Sequence, residues 1–206
     1  TSVVFKADGN NSNQMIWNQG EGSSSGNDNI YLRLSAAGSL FFGWGREGSG
    51  YNECRLANQT ISSSNWYGVA IAHNGVRLGG GSASAANLAD CFTIYMMSSA
   101  DSFAAVGSNL SVTANWTSSG NRMDRTVAGD FTVGGRGTNN NFHGKIASTV
   151  VTTLLQGGYN SAQFPEGTMV GANQAKAMIT DPVKWLDDYK VRLATNNPSG
   201  LYRQSS

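Results

Sequence analysis

Residues 65–78 read "NWYGVAIAHNGVRL", and the order of residue types within them decides the fold class. Asn74-Gly75 is the strongest short-range hairpin signal, because a two-residue type I′ turn needs positive φ at both central positions. Before it, Tyr67, Val69 and Ile71 share one parity while Trp66, Gly68, Ala70 and Ala72 share the other. Neither parity is polar, so a strand here is covered on both faces, and its small residues leave room for bulkier groups crossing above them. The stretch predicts an interior strand of a sandwich that returns through Asn74-Gly75 into a second strand ending near Leu78.

Working outward, short apolar runs separated by Gly, Asn and Ser clusters fill most of the chain, the pattern of many strands and few helices. Strands are expected at Ser2 to Ala7, Gln14 to Gln19, Cys91 to Met97, Asn109 to Ala114, Asp130 to Gly135 and Gly144 to Leu155. Ile30 to Leu34 and Leu40 to Trp44 flank a small-residue turn at Gly38 and read as a hairpin. The stretch "GWGREGSGYNE", residues 43–53, reads as loop. The last forty or so residues differ: "GANQAKAMI" has helix-forming composition, and in "DPVKWLDDYK" Asp181 is placed to cap a helix whose first position is Pro182. Val183, Trp185, Leu186 and Tyr189 lie close enough to one side of that helix to dock it. The division expected is a β-sandwich over 1–164, then a C-terminal helical segment and extended tail over 165–206 that packs on the same domain or a neighbour.

With 206 residues, such a domain buries about 70% of the surface its unfolded chain exposes and needs no disulfide. Cys54 and Cys91 show no CxxC or Cys/His arrangement, leaving two free or buried thiols, or a single bridge, as the readings. Charged residues are 13% of the chain and the net charge is +1, so nothing draws it electrostatically to nucleic acid or anionic lipid. No apolar run of spanning length occurs. The surface expected is one of amides and hydroxyls.

Three pieces together resemble the concanavalin A-like lectin/glucanase (laminin-G-like) jelly roll. They are Trp66, Val69, Ala70, Ile71, Asn74, Gly75 and Leu78; the hairpin "IYLRLSAAGSLFFGW"; and Phe131, Val133, Gly134 and Gly135 followed by Phe142, Gly144 and Ile146. The resemblance spans roughly residues 1 to 155. It implies an all-β jelly-roll sandwich of two antiparallel sheets, one curved, with ligands at a concave face or along a loop rim. The Gly/Asn/Ser-rich texture and the phrase "MITDPVKWLDDYKV" also resemble virion proteins of tailed bacteriophages. That second likeness implies a decoration or fibre-type subunit of an oligomer, at a virion surface or outside the cell, meeting glycans or neighbouring subunits. A fragment of a larger adhesin is the third reading.

A retaining glucanase of that superfamily needs two carboxyl groups about 5 Å apart, commonly a Glu-x-Asp-x-Glu run on one strand. That run is absent. Glu21, Glu47, Glu53 and Glu166 all read as loop or segment-edge residues, with Glu47 and Glu53 as solvated carboxylates sharing one loop. His73 and His143 are the only histidines, and no Gly-x-Ser-x-Gly elbow accompanies them. No enzyme is expected; the alternative is a glycoside hydrolase of that superfamily with Glu47 and Glu53 as an unusually placed carboxylate pair. For calcium, Asp101, Asp124 and Asp130 are available, but no Asp-x-Asn/Asp-x-Asp loop presents them, so no cofactor is expected.

Glycan contact asks instead for aromatic faces to cover sugar C–H surface and for amides and Arg to bond hydroxyls. Three expected loops supply them: Trp44, Arg46, Tyr51 and Asn52; Trp116, Asn121 and Arg122; Arg136, Asn139, Asn141 and His143.

Overall fold

The computed structural model describes residues 1–9, 12–20, 29–45, 51–56, 60–73, 92–101, 103, 112–114, 130–135, 140–151 and 172–187. They are mostly strand. In chain order these are β1 (Ser2–Ala7), β2 (Gln14–Gly20), β3 (Asn29–Leu34), β4 (Leu40–Gly45), β5 (Tyr51–Leu56), β6 (Tyr67–His73), β7 (Phe92–Ser98), β8 (Val112–Ala114), β9 (Phe131–Val133) and β10 (Gly144–Val150). Helix α1 (Ala172–Thr180) follows, and residues 182–187 form a further short helix. Among the described residues, no helix is long and apolar enough to cross a membrane.

All pairings are antiparallel and build two sheets, one in the order β10-β1-β6-β7, the other β8-β5-β4-β3-β2-β9. Alternation explains how they meet. Val3, Phe5, Tyr67, Val69, Ile71, Ile94 and Met96 from the four-stranded sheet share one buried cluster with Leu32, Leu34, Leu40, Phe42 and Leu56 from the six-stranded sheet. Each such side chain stabilises by about 1.5–3 kcal/mol when fully buried. In β2 the register slips between Met15 and Trp17, and this bulge lets the consecutive Ile16 and Trp17 both join that core. Trp17 then stacks on Phe131 at 5.6 Å and leans on Phe42 at 6.3 Å. In the β3–β4 turn, Gly38 holds φ +77° and donates its N–H to the Ser35 carbonyl at 2.9 Å.

The strand that opened the sequence analysis lies inside its sheet, between β1 and β7. Its other parity is covered by α1: Ala70 packs with Met97, Ala175 and Ile179, and Gly68 lies directly under Ile179, where any Cβ would collide with Ile179 Cγ2. The small residues of β6 are thus the socket for the helix. Within the described residues β7 pairs with Tyr67–His73 and β1 with Tyr67–Ala70; the expected return through Asn74-Gly75 to Leu78 lies outside the described residues.

Two expectations are corrected. The stretch 43–53 is not all loop, because its ends lie in Leu40–Gly45 and Tyr51–Leu56, which pair as strands. In the 182–187 helix Trp185 is buried against Val150 and Met178, with Leu186 packed beside it, but Val183 points away and is 68% exposed. Asp181 does cap this helix, accepting from the Lys184 N–H at 3.2 Å.

Candidate functional site

β3, β4 and β5 each send one parity into the core: Leu32 and Leu34, Leu40 and Phe42, Leu56. The opposite parity therefore forms the outward face of the six-stranded sheet. Register sets it in two rows, Arg33 opposite Phe41 opposite Arg55, and Tyr31 opposite Gly43 opposite Glu53. Directly opposed residues share a face with Cβ atoms about 4.5–5.5 Å apart.

The second row is a hydrogen-bonded core of charge. Glu53 Oε1 accepts from Arg33 Nε at 2.6 Å and from the Tyr31 hydroxyl at 2.9 Å, and Glu53 Oε2 accepts from Arg33 Nη2 at 2.6 Å. This planar two-pronged pairing is the strong form of a carboxylate–guanidinium contact. Tyr31 reaches Glu53 by crossing directly over Gly43, where a Cβ would overlap the ring. Arg33 also donates from Nη1 to Asn13 Oδ1 at 3.2 Å, and its guanidinium carbon stands 4.3 Å from the centre of the Phe41 ring. Burial works against the Arg33 charge, but the hydrogen bond and attraction to Glu53 outweigh it and carry its pKa above the ordinary value.

A rim adjoins this face through residues 13–15. Met15 lies opposite Arg33 and donates its N–H to the carbonyl of Asn140 at 2.7 Å. Gln14, fully buried, spans the gap: its Nε2 donates to the Gly9 carbonyl at 2.7 Å, and its Oε1 accepts from the His143 N–H at 2.8 Å. The His143 carbonyl accepts from Asp8 at 2.9 Å, Phe142 donates to Gly134 at 2.9 Å, and the Phe142 ring meets Phe5 edge-on at 5.8 Å. Asn140 adopts φ +58°, a conformation Asn tolerates well. The result is a pinned loop from which Asn141 and His143 are exposed.

Of the residues expected to contact ligand, Asn141 and His143 are thus on this rim. Trp44 lies within β4, opposite Ile30 and Asn52, and Tyr51 and Asn52 lie within β5, so these three are strand residues rather than loop residues. The ladder with β4 imposes strand geometry that the weak strand formers Asn52 and Glu53 do not favour by themselves. Arg46, Trp116, Asn121, Arg122, Arg136 and Asn139 lie outside the described residues, as do Glu47, Asp124 and Cys91. Glu53 is corrected: it is a buried, ion-paired strand residue, not a solvated loop carboxylate.

Tyr31, Arg33, Phe41 and Arg55 are the residues that reading for loops passes over. The signal for two of them is present in "IYLRL", where Tyr31 and Arg33 interrupt an apolar parity on one face. Among the described residues no group of three or more His, Cys, Asp or Glu is placed to hold a metal ion. Asp101 closes the short 3-10 turn after β7, while Asp130 precedes β9 at the edge of the other sheet.

No protein-family model matches the chain, and no curated protein or solved structure matches it significantly.

Proposed function

We propose that this chain is a non-catalytic, lectin-like contact module, a concanavalin A-like jelly roll that meets saccharide on the outward face of its six-stranded sheet. The observation that carries the reading is the Phe41 ring, half-buried between Arg33 and Arg55 on that face and backed by the Tyr31–Glu53–Arg33 network. An aromatic plane flanked by guanidinium donors is the pairing of parts that sugars select. The pinned rim adds the exposed amide of Asn141 and the imidazole of His143. The two antiparallel sheets and their shared core support the jelly-roll assignment. In this reading the module works at a virion surface or outside the cell as one subunit of an oligomer. Support for that comes from its weakly charged sequence, rich in Gly and amides.

Glu53 does not read as an acid catalyst. Both of its oxygens accept from Arg33, and Oε1 also accepts from Tyr31, so it serves to orient its neighbours.

The test is a glycan array probed with the full chain, followed by NMR titration with whichever sugars bind. Perturbed signals at Phe41, Arg55, Asn141 and His143 are expected. Silence across the array overturns the lectin-like reading.

A further inference from the structure

We propose that Arg55 is the receptor for a carboxylate on the saccharide, so that the ligand class is a uronate-bearing, acidic glycan. The inference rests on the reading of this face as a glycan-contact surface and goes further by naming the group that is recognised.

Three observations lead there. Arg55 lies on the outward parity of β5, a strand inside its sheet between β8 and β4, and its side chain is exposed. The natural partner for it is Glu53, two residues away on the same strand and face. That carboxylate is already committed: Oε1 accepts from Arg33 Nε and Tyr31, and Oε2 accepts from Arg33 Nη2. Arg33 and Glu53 cancel in charge, and among the described residues no carboxylate lies within ion-pair distance of Arg55. Among the described residues of this face, Arg55 is therefore a guanidinium without a carboxylate partner.

Next to it is Phe41, directly opposite in register, with the Arg33 guanidinium carbon 4.3 Å from its ring centre. A guanidinium binds a carboxylate through two parallel N–H donors. In a uronic acid the carboxyl group is bonded directly to the sugar ring, so one residue can place its carboxylate on Arg55 while laying C–H surface on Phe41. Among the described residues of this face Arg55 is the one cation without a carboxylate partner, which suits one such group. Duplex or single-stranded nucleic acid, whose affinity comes from many phosphates neutralised together, asks for more.

The experiment titrates the full chain with galacturonate and glucuronate tetrasaccharides and with the neutral galactose and glucose tetrasaccharides of the same length, at low and at physiological salt. An acidic sugar is expected to bind at least about tenfold more tightly than its neutral counterpart, a difference of about 1.4 kcal/mol, and more so at low salt. Arg55→Gln is expected to remove that preference, so that the acidic sugar binds no more tightly than its neutral counterpart, with Arg55→Lys keeping part of it. Equal binding of acidic and neutral sugars, or a preference that survives Arg55→Gln, overturns the carboxylate assignment while the glycan reading stands. A sulfated galactose tetrasaccharide binding more tightly than the uronates also overturns it. If no sugar binds in any arm, the glycan reading fails and takes this inference with it.

Discussion

Arg33 and Glu53 meet side-on across an intervening strand: β4 runs between them, and both pairs of atoms close to 2.6 Å over its backbone. The contact is possible because β4 presents Gly43 beneath Tyr31 and the flat Phe41 beneath the guanidinium. Replacing one partner leaves the other largely buried without its counter-charge. Glu53→Ala is expected to destabilise the fold by about 2–4 kcal/mol, whereas the apolar pair Arg33→Met with Glu53→Leu loses less than the sum of the two single changes. Urea unfolding of the parent, Glu53→Ala, Arg33→Met, Glu53→Leu and the double variant measures this. Single variants within about 0.5 kcal/mol of the parent would show the pair to be energetically idle.

Gly68 and Ile179 make a second close fit. Gly68→Ala drives a methyl group into Ile179 Cγ2 and is expected to destabilise by about 1–3 kcal/mol through overpacking. Combining it with Ile179→Ala should recover part of that loss, because the shortened side chain vacates the space. A double variant whose loss equals the sum of the two singles, read from thermal melts, argues that the helix docks elsewhere.

Gln14 ties Gly9 to His143 through both ends of one buried amide. With Gln14→Leu, a carbonyl and an N–H lose their partners, at about 1–3 kcal/mol each where no water replaces the amide. Hydrogen exchange at the His143 amide should accelerate at least about tenfold, the response to 1.4 kcal/mol of local loosening. Unchanged protection at that amide would count against Gln14 as the pin of the rim.

Much of the framework was legible because it is written in local periodicity. The two parities of β6 correctly announced cover on both faces, down to the small residues that receive Ile179. β5 was not legible, since Tyr51, Asn52, Glu53, Cys54 and Arg55 put polar groups on both parities. What makes a strand of them is the ladder with β4, and the charge of Glu53 is satisfied by Arg33, twenty residues earlier in the chain. Gln14 was hidden for the same reason, its partner His143 lying 129 positions away. Local propensity carries no trace of such a contact.

The place of β1 between β6 and β10 sets an order of events during synthesis. β2, β3, β4 and β5 are consecutive in the chain and adjacent in space, so this meander can assemble as soon as residue 56 is free of the ribosome. The other sheet has to wait. Its first strand needs Tyr67–Ala70 on one flank and Gly144–Val150 on the other, so for most of translation the Val3–Phe5 segment travels with at least one ladder unmade. Non-local closure of this kind slows folding and leaves an adhesive edge open. A nascent chain halted before residue 144 should therefore be the form of this protein most dependent on chaperones.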